Sequence, residues 1–92
     1  MRYIKGLVSK DAEMKYDKEL NDYVMTFVMV KTNYRKPTFY SVEFVGRVSK
    51  QMVCYVTKGR ALKVLGWCCV SNAENQSSIK VYASEIKFIQ HV

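Results

Sequence analysis

The stretch "NYRKPTF", residues 33–39, sets Tyr34, Arg35, Lys36 and Phe39 close together in the chain. Aromatic faces accept flat π-systems, and neighbouring cations hold phosphate. Together they suit an unstacked nucleic-acid strand. The chain as a whole carries 15 Lys and Arg against 8 Asp and Glu, a net charge of +7. An excess of this size in a small domain points to a polyanionic partner, nucleic acid first and an anionic membrane surface second. The plainer account of the same charge is a solvated basic surface.

Bond-making chemistry finds no comparable set. There is no Ser-His-Asp constellation and no Cys-His pair with a plausible shared pocket. The one histidine, His91, lies next to the end of the chain, and a zinc site needs about four ligands. Asp11 and Glu13 read as a solvated pair in a charged turn. Gly6, Gly46, Gly59 and Gly66 are scattered singly, so there is no phosphate-cradling loop. No enzyme activity, metal or cofactor is expected. Cys54, Cys68 and Cys69 are odd in number and unspaced, which suits small apolar residues in a reducing compartment better than a disulfide framework. No stretch approaches the ~20 apolar residues of a membrane span, and "MRYIKGLVSK" does not read as a signal peptide. The expectation is a cytoplasmic chain that starts at Met1 and forms a single domain over residues 1–92.

The elements that must position these side chains read as mostly β. Residues 2–9 alternate like a strand, and residues 10–22 read as a charged connection. "DYVMTFVMVKTN", residues 22–33, is a long strand rich in β-branched and aromatic residues. "YRKP" is a turn punctuated by Pro37. Residues 38–45 then alternate, with Tyr40, Val42 and Phe44 toward the core and Phe39, Ser41, Glu43 and Val45 outward. Ser49 as N-cap, the stripe Met52, Val53, Tyr55 and Val56, and Gly59 as terminator predict a helix of about two turns over residues 49–58. Residues 60–72 form a long strand with Lys63, Leu65 and Trp67 on its outer parity. "AENQSS" reads as a loop, and residues 79–89 form a last strand bent near Ser84.

Five strands with one helix between the third and fourth is the order of the OB-fold, a five-stranded Greek-key barrel. An all-β OB-fold barrel with one short helix is therefore the expected architecture. By parity and position, the nucleic-acid-binding candidates are Phe39, Tyr34 and Trp67 for bases, with Lys5, Lys31, Arg35, Lys36, Lys63 and Lys80 for phosphates. Trp67 reads equally well as an apolar residue covered by a partner subunit. Glu43 shares the face of Phe39, which calls for a paired lysine or a strand path that avoids it.

The sequence also resembles the bacterial and phage single-stranded DNA-binding proteins. The resemblance rests on "GLVSKDAEMKY", "FVGRVSKQMVCYVTKG", "KVLGW" and "VYASEIKFI", which stand in the family's order. It implies single-stranded DNA or RNA as partner, binding without strong sequence preference, a place in replication or recombination, and assembly into homodimers or homotetramers. It also implies that Phe39 occupies a stacking position, with Tyr34 near another. Three departures stand out. Ala12 replaces a turn proline, Val45 occupies a position that is often aromatic, and a third stacking position falls near Ala73. The family's Gly-, Pro- and Gln-rich tail has no counterpart, so the resemblance extends to tailless phage or mobile-element members and to relatives of primosomal replication protein B, which bridge DNA and a helicase. An OB barrel that docks a protein through Leu65 and Trp67 is the reading from a different class.

Overall fold

The computed structural model describes residues 1–33, 36–73 and 76–91. Its elements are β1 (Arg2–Asp17), β2 (Asp22–Asn33), β3 (Lys36–Val45), α1 (Val48–Met52), β4 (Ala61–Ala73) and β5 (Gln76–Phe88). The five strands close into a barrel in the order β1-β2-β3-β5-β4. All pairs are antiparallel except β3 with β5. This is the OB-fold that the element order predicts.

The barrel interior is filled by alternate residues of every strand, as the side-chain period of two requires. Ile4, Val8, Met25, Phe27, Met29, Tyr40, Val42, Leu62, Val64, Val81 and Ile86 form one buried cluster with Val56. Phe44 and Cys68 pack against it, while Cys69 points outward. Phe27, Tyr40 and Phe44 are thus core aromatics, as strand parity predicts for the last two.

The first strand is longer than the sequence pattern suggests. β1 runs 16 residues, through the segment expected as a charged connection. Its first part pairs with β4 and its second with β2, and Leu7 pairs with both, facing Ala61 and Val30. The ladder to β2 is irregular between Val8 and Glu13. Bulges leave backbone groups without ladder partners, and the loop after α1 meets several of them. Val8 N–H donates to Arg60 C=O (2.8 Å), Ala12 N–H to Val56 C=O (2.9 Å) and Gly59 N–H to Val8 C=O (2.8 Å). The Asp11 carboxylate accepts from Lys58 N–H at 2.7 Å. Gly59 has φ +92, a conformation side chains resist.

The helix is correspondingly shorter than expected. α1 spans five residues, and Ser49 does not cap it by accepting a bond. Ser49 is fully buried and its Oγ donates to Gly46 C=O at 2.6 Å. Met52, Val53 and Val56 still reach the core, Met52 from the end of α1 and the other two from the turn that follows it. Tyr55, expected to pack with the helix, is 58% exposed. Pro37 lies within β3, paired with Thr32, and the β4–β5 ladder runs out to Ala73 and Gln76 across part of the expected loop.

Gly6 and Gly66 permit close strand approach. A Cβ on Gly6 would lie 2.7 Å from Val30 O, and one on Gly66 would collide with Tyr82 O. Gly66 sits at the β4–β5 register shift, where Ser84 bulges out as the sequence predicts. A Gly66→Ala chain is expected to lose about 1–3 kcal/mol of stability, because the clash is with backbone and not with a movable side chain. Urea unfolding measures this, and an unchanged midpoint would contradict it.

Candidate nucleic-acid interface

Cross-strand register divides the outer face into rows. One row runs Leu7, Val30, Phe39 across β1, β2 and β3. The next runs Lys10, Val28, Ser41, Lys80 and reaches Cys69 on β4. The third runs Glu13, Thr26, Glu43, Tyr82, Trp67.

Phe39 is 54% exposed at the end of the first row, with exposed Leu7 on the same row. Burying so large an apolar side chain against a ligand is favourable, and a planar base is a matching shape. Beyond Val30, β2 has no β1 partner, and before Tyr40, β3 has no β5 partner. The two strands therefore continue as a ribbon with two faces. Phe39 lies on one face, and Lys31 and Lys36 fall on the opposite parity, Lys36 exposed and Lys31 half-buried. Tyr34 and Arg35, predicted for the tip between them, lie outside the described residues.

Lys80 and Glu43 meet at 3.1 Å, so the lysine on the Phe39 side of the sheet neutralises the carboxylate on that side. The Glu43 carboxylate, through its hydrogen bond and charge, raises the Lys80 pKa above its usual 10.5. Lys80 also lies over the Tyr82 ring, 5.1 Å from its centre. Lys10, expected in a connection, instead stands on β1 in the Lys80 row. It lines a shallow groove with Ser41, Lys80, Asp11, Glu13 and Glu43. In the fold, exposed Glu13 and Lys15 alternate with half-buried Ala12 and Met14, an apolar signal too small to mark the strand within so charged a run.

Lys5, Lys63 and Trp67 occupy another part of the surface. Lys5 and Lys63 face each other across β1 and β4. The Lys63 ammonium lies 4.2 Å from the centre of the Tyr3 ring. Trp67 is 55% exposed beside Tyr82, itself exposed. The structure thus brings Phe39 near Lys80 and Lys5 near Lys63, but sets Trp67 apart from Phe39. Among the described residues, no cluster of His, Cys, Asp and Glu could hold a metal ion, and no helix is long and apolar enough to cross a membrane.

No protein-family model matches the sequence, and no curated protein matches it by sequence. Solved structures do match the fold. A small single-stranded DNA-binding protein from Streptomyces coelicolor superimposes with a TM-score of 0.78 at 17% identity, covering 96% of this chain and 92% of that one. The SSB domain of a Synechococcus protein gives 0.75 at 13% identity, covering 92% and 90%. The single-stranded DNA binding protein from Thermus aquaticus gives 0.74 at 17%, and there the match covers 96% of this chain but 48% of the other. At these identities the likeness establishes a shared fold.

The Lys80–Glu43 pair makes its own prediction. A lysine pKa raised by folding adds stability that is complete below the unfolded value and is lost as pH rises through the folded value. Deprotonation of the lysine therefore leaves the pair intact throughout the neutral range and weakens it above pH 10.5. In an NMR titration, the Lys80 ammonium should titrate above 10.5, and its midpoint should fall in Glu43→Gln. Equal midpoints in the two proteins would exclude the pairing.

Proposed function

We propose that this chain binds single-stranded DNA through base stacking and phosphate contacts, without strong sequence preference. The observation that carries this reading is Phe39, half-exposed on the outer β2–β3 face of an OB barrel, beside a row that bears Lys10 and Lys80. That face is where OB-folds receive oligonucleotides. The net charge of +7 supports a polyanion, and the fold shared with SSB proteins of three organisms supports single-stranded DNA ahead of RNA.

In this reading the protein covers exposed strands during replication or recombination in the cytoplasm. It binds by equilibrium association and performs no catalysis. It works as a homodimer or homotetramer. Exposed Trp67, Tyr82 and Val70, and the edge of β4 beyond Gly66 that has no β1 partner, offer surface for a second copy. A bridging role between single-stranded DNA and a helicase uses the same binding face.

The apolar patch around Trp67 also favours a second reading, an OB module that docks a protein and binds nucleic acid poorly. Salt separates the two. Lysine–phosphate contacts release counterions, so DNA affinity falls steeply as salt rises, whereas burial of apolar surface does not weaken in this way.

Phe39→Ala is expected to weaken binding to oligo-dT by ~1–3 kcal/mol, the worth of one stacked base. Its melting temperature should not fall, because the side chain lies outside the core. Fluorescence titration at two salt concentrations reads the affinity, and thermal melting reads the stability. Unchanged affinity in a folded variant would remove Phe39 from the interface, and no binding by the parent chain at low salt would replace this reading with the docking module.

A further inference from the structure

We infer that Lys5, Lys63 and Lys87 form a second phosphate-binding strip, on the outer face of β1, β4 and β5, which extends the path of a bound single strand off the β2–β3 face. The inference rests on the reading of the chain as a single-strand binder. Register places the three lysines in one row, Lys5 opposite Lys63 and Lys63 opposite Lys87. Each alternates with buried neighbours, Ile4 and Gly6, Leu62 and Val64, and Ile86, so all three point outward.

Like charges directly opposite one another destabilise a strand pair. Three in a row, with strands about 4.8 Å apart, concentrate positive charge over about 10 Å. Among the described residues, the carboxylate paired with the row is Glu85, 3.7 Å from the Lys87 ammonium, and both side chains are about half-exposed. Exposed surface pairs of this kind are weak. Tyr3 lies beneath the Lys63 ammonium, and its ring is half-exposed. The strip thus has a cation row and an aromatic face, the same two components as the Phe39 site.

Charge also argues for this route over the groove on the other side. There the groove that holds Lys10, Lys15 and Lys80 also holds Asp11, Glu13, Asp17 and Glu43, and Lys80 is paired with Glu43. The β1–β4–β5 row is connected to Phe39 without crossing those acids. Leu7 pairs with both Val30 and Ala61, so the outer face is continuous from Phe39 through Val30 to Leu7. Lys5 is the next outward residue of β1, about 7 Å away. A polyanion that stacks a base on Phe39 and leaves over Leu7 meets the lysine row next.

The test compares the parent chain with K5Q/K63Q/K87Q and with K5R/K63R/K87R on an oligo-dT series of increasing length. For the glutamine variant, the slope of log affinity against log salt on long oligo-dT should fall by about 2, since each single-strand phosphate contact contributes about 0.7. Affinity for the shortest oligomers, held at Phe39, should change little, and the arginine variant should keep the parent slope. The melting temperature should hold or rise as the repulsion is removed. If the parent binds and the glutamine variant keeps its slope and its length dependence, the strip is overturned while the Phe39 site stands. If the glutamine variant keeps its slope but its mass in solution drops, the row belongs to an interface between copies and the strip is likewise overturned. If the parent binds no oligo-dT, the single-strand reading itself fails, and the strip with it.

Discussion

Barrel closure is the constraint on which the other features depend. A five-stranded sheet closes only if one strand serves both sides of the seam, and here β1 does so, pairing with β4 before Leu7 and with β2 after it. To turn that corner the strand needs close backbone approach and relief of register. Gly6 supplies the first, where a Cβ would meet Val30 O at 2.7 Å. The irregular ladder between Val8 and Glu13 supplies the second. Relief of register exposes backbone groups, and the loop from Val56 to Arg60 accepts or donates to them. The short helix and its following loop are therefore part of the closure. They bring Val56 to the core and stitch the bulged strand.

Closure also decides what the outer surface offers. Because β2 and β3 outrun their outer partners, they leave the barrel as a ribbon that presents Phe39 on one side and Lys31 and Lys36 on the other. Because β4 outruns β1, the segment beyond Gly66 has an open edge beside Trp67. Aromatic side chains exposed on such overhangs are well placed to meet partners, since nothing in the barrel competes for their surface. The two overhangs differ in charge. The Phe39 side leads over Val30 and Leu7 toward Lys5 and Lys63, whereas the Trp67 row runs through Glu43 and Glu13. Polyanion binding suits the first and apolar association the second.

Much of this was legible in the sequence, for physical reasons that also explain the failures. β2 and β3 announce themselves because each buries one face, so parity alone puts Tyr40, Val42 and Phe44 inside and Phe39 outside. β1 beyond Ser9 did not. Its outward residues there are charged, its inward residues include only Ala12 and Met14 at half burial, and the bulges break the period of two. A run of charge hid a strand whose apolar signal was small. The helix was overdrawn because Met52, Val53 and Val56 at helical spacing do contact the core, but one turn followed by a loop delivers them equally well. The candidate site shows the same division. Parity identified Phe39, Lys5 and Lys63 as outward-facing, but only register shows that Lys5 and Lys63 are neighbours, that Lys87 continues their row, and that Lys80 is held by Glu43.

Pairing changes what each lysine can offer a ligand. Sequence treats Lys5, Lys63 and Lys80 alike, as three cations on strands. In the folded chain Lys80 is matched by a carboxylate at 3.1 Å, whereas Lys5 and Lys63 face each other. A matched lysine offers an incoming phosphate little, because binding must first compete with the existing partner. A lysine opposed by another gains twice, from the new attraction and from relief of repulsion. The residues best able to draw a polyanion across this barrel are therefore the ones whose charges the fold leaves in conflict. On that ground the proposed single-strand path takes in the β1–β4–β5 face as well as the aromatic on β3.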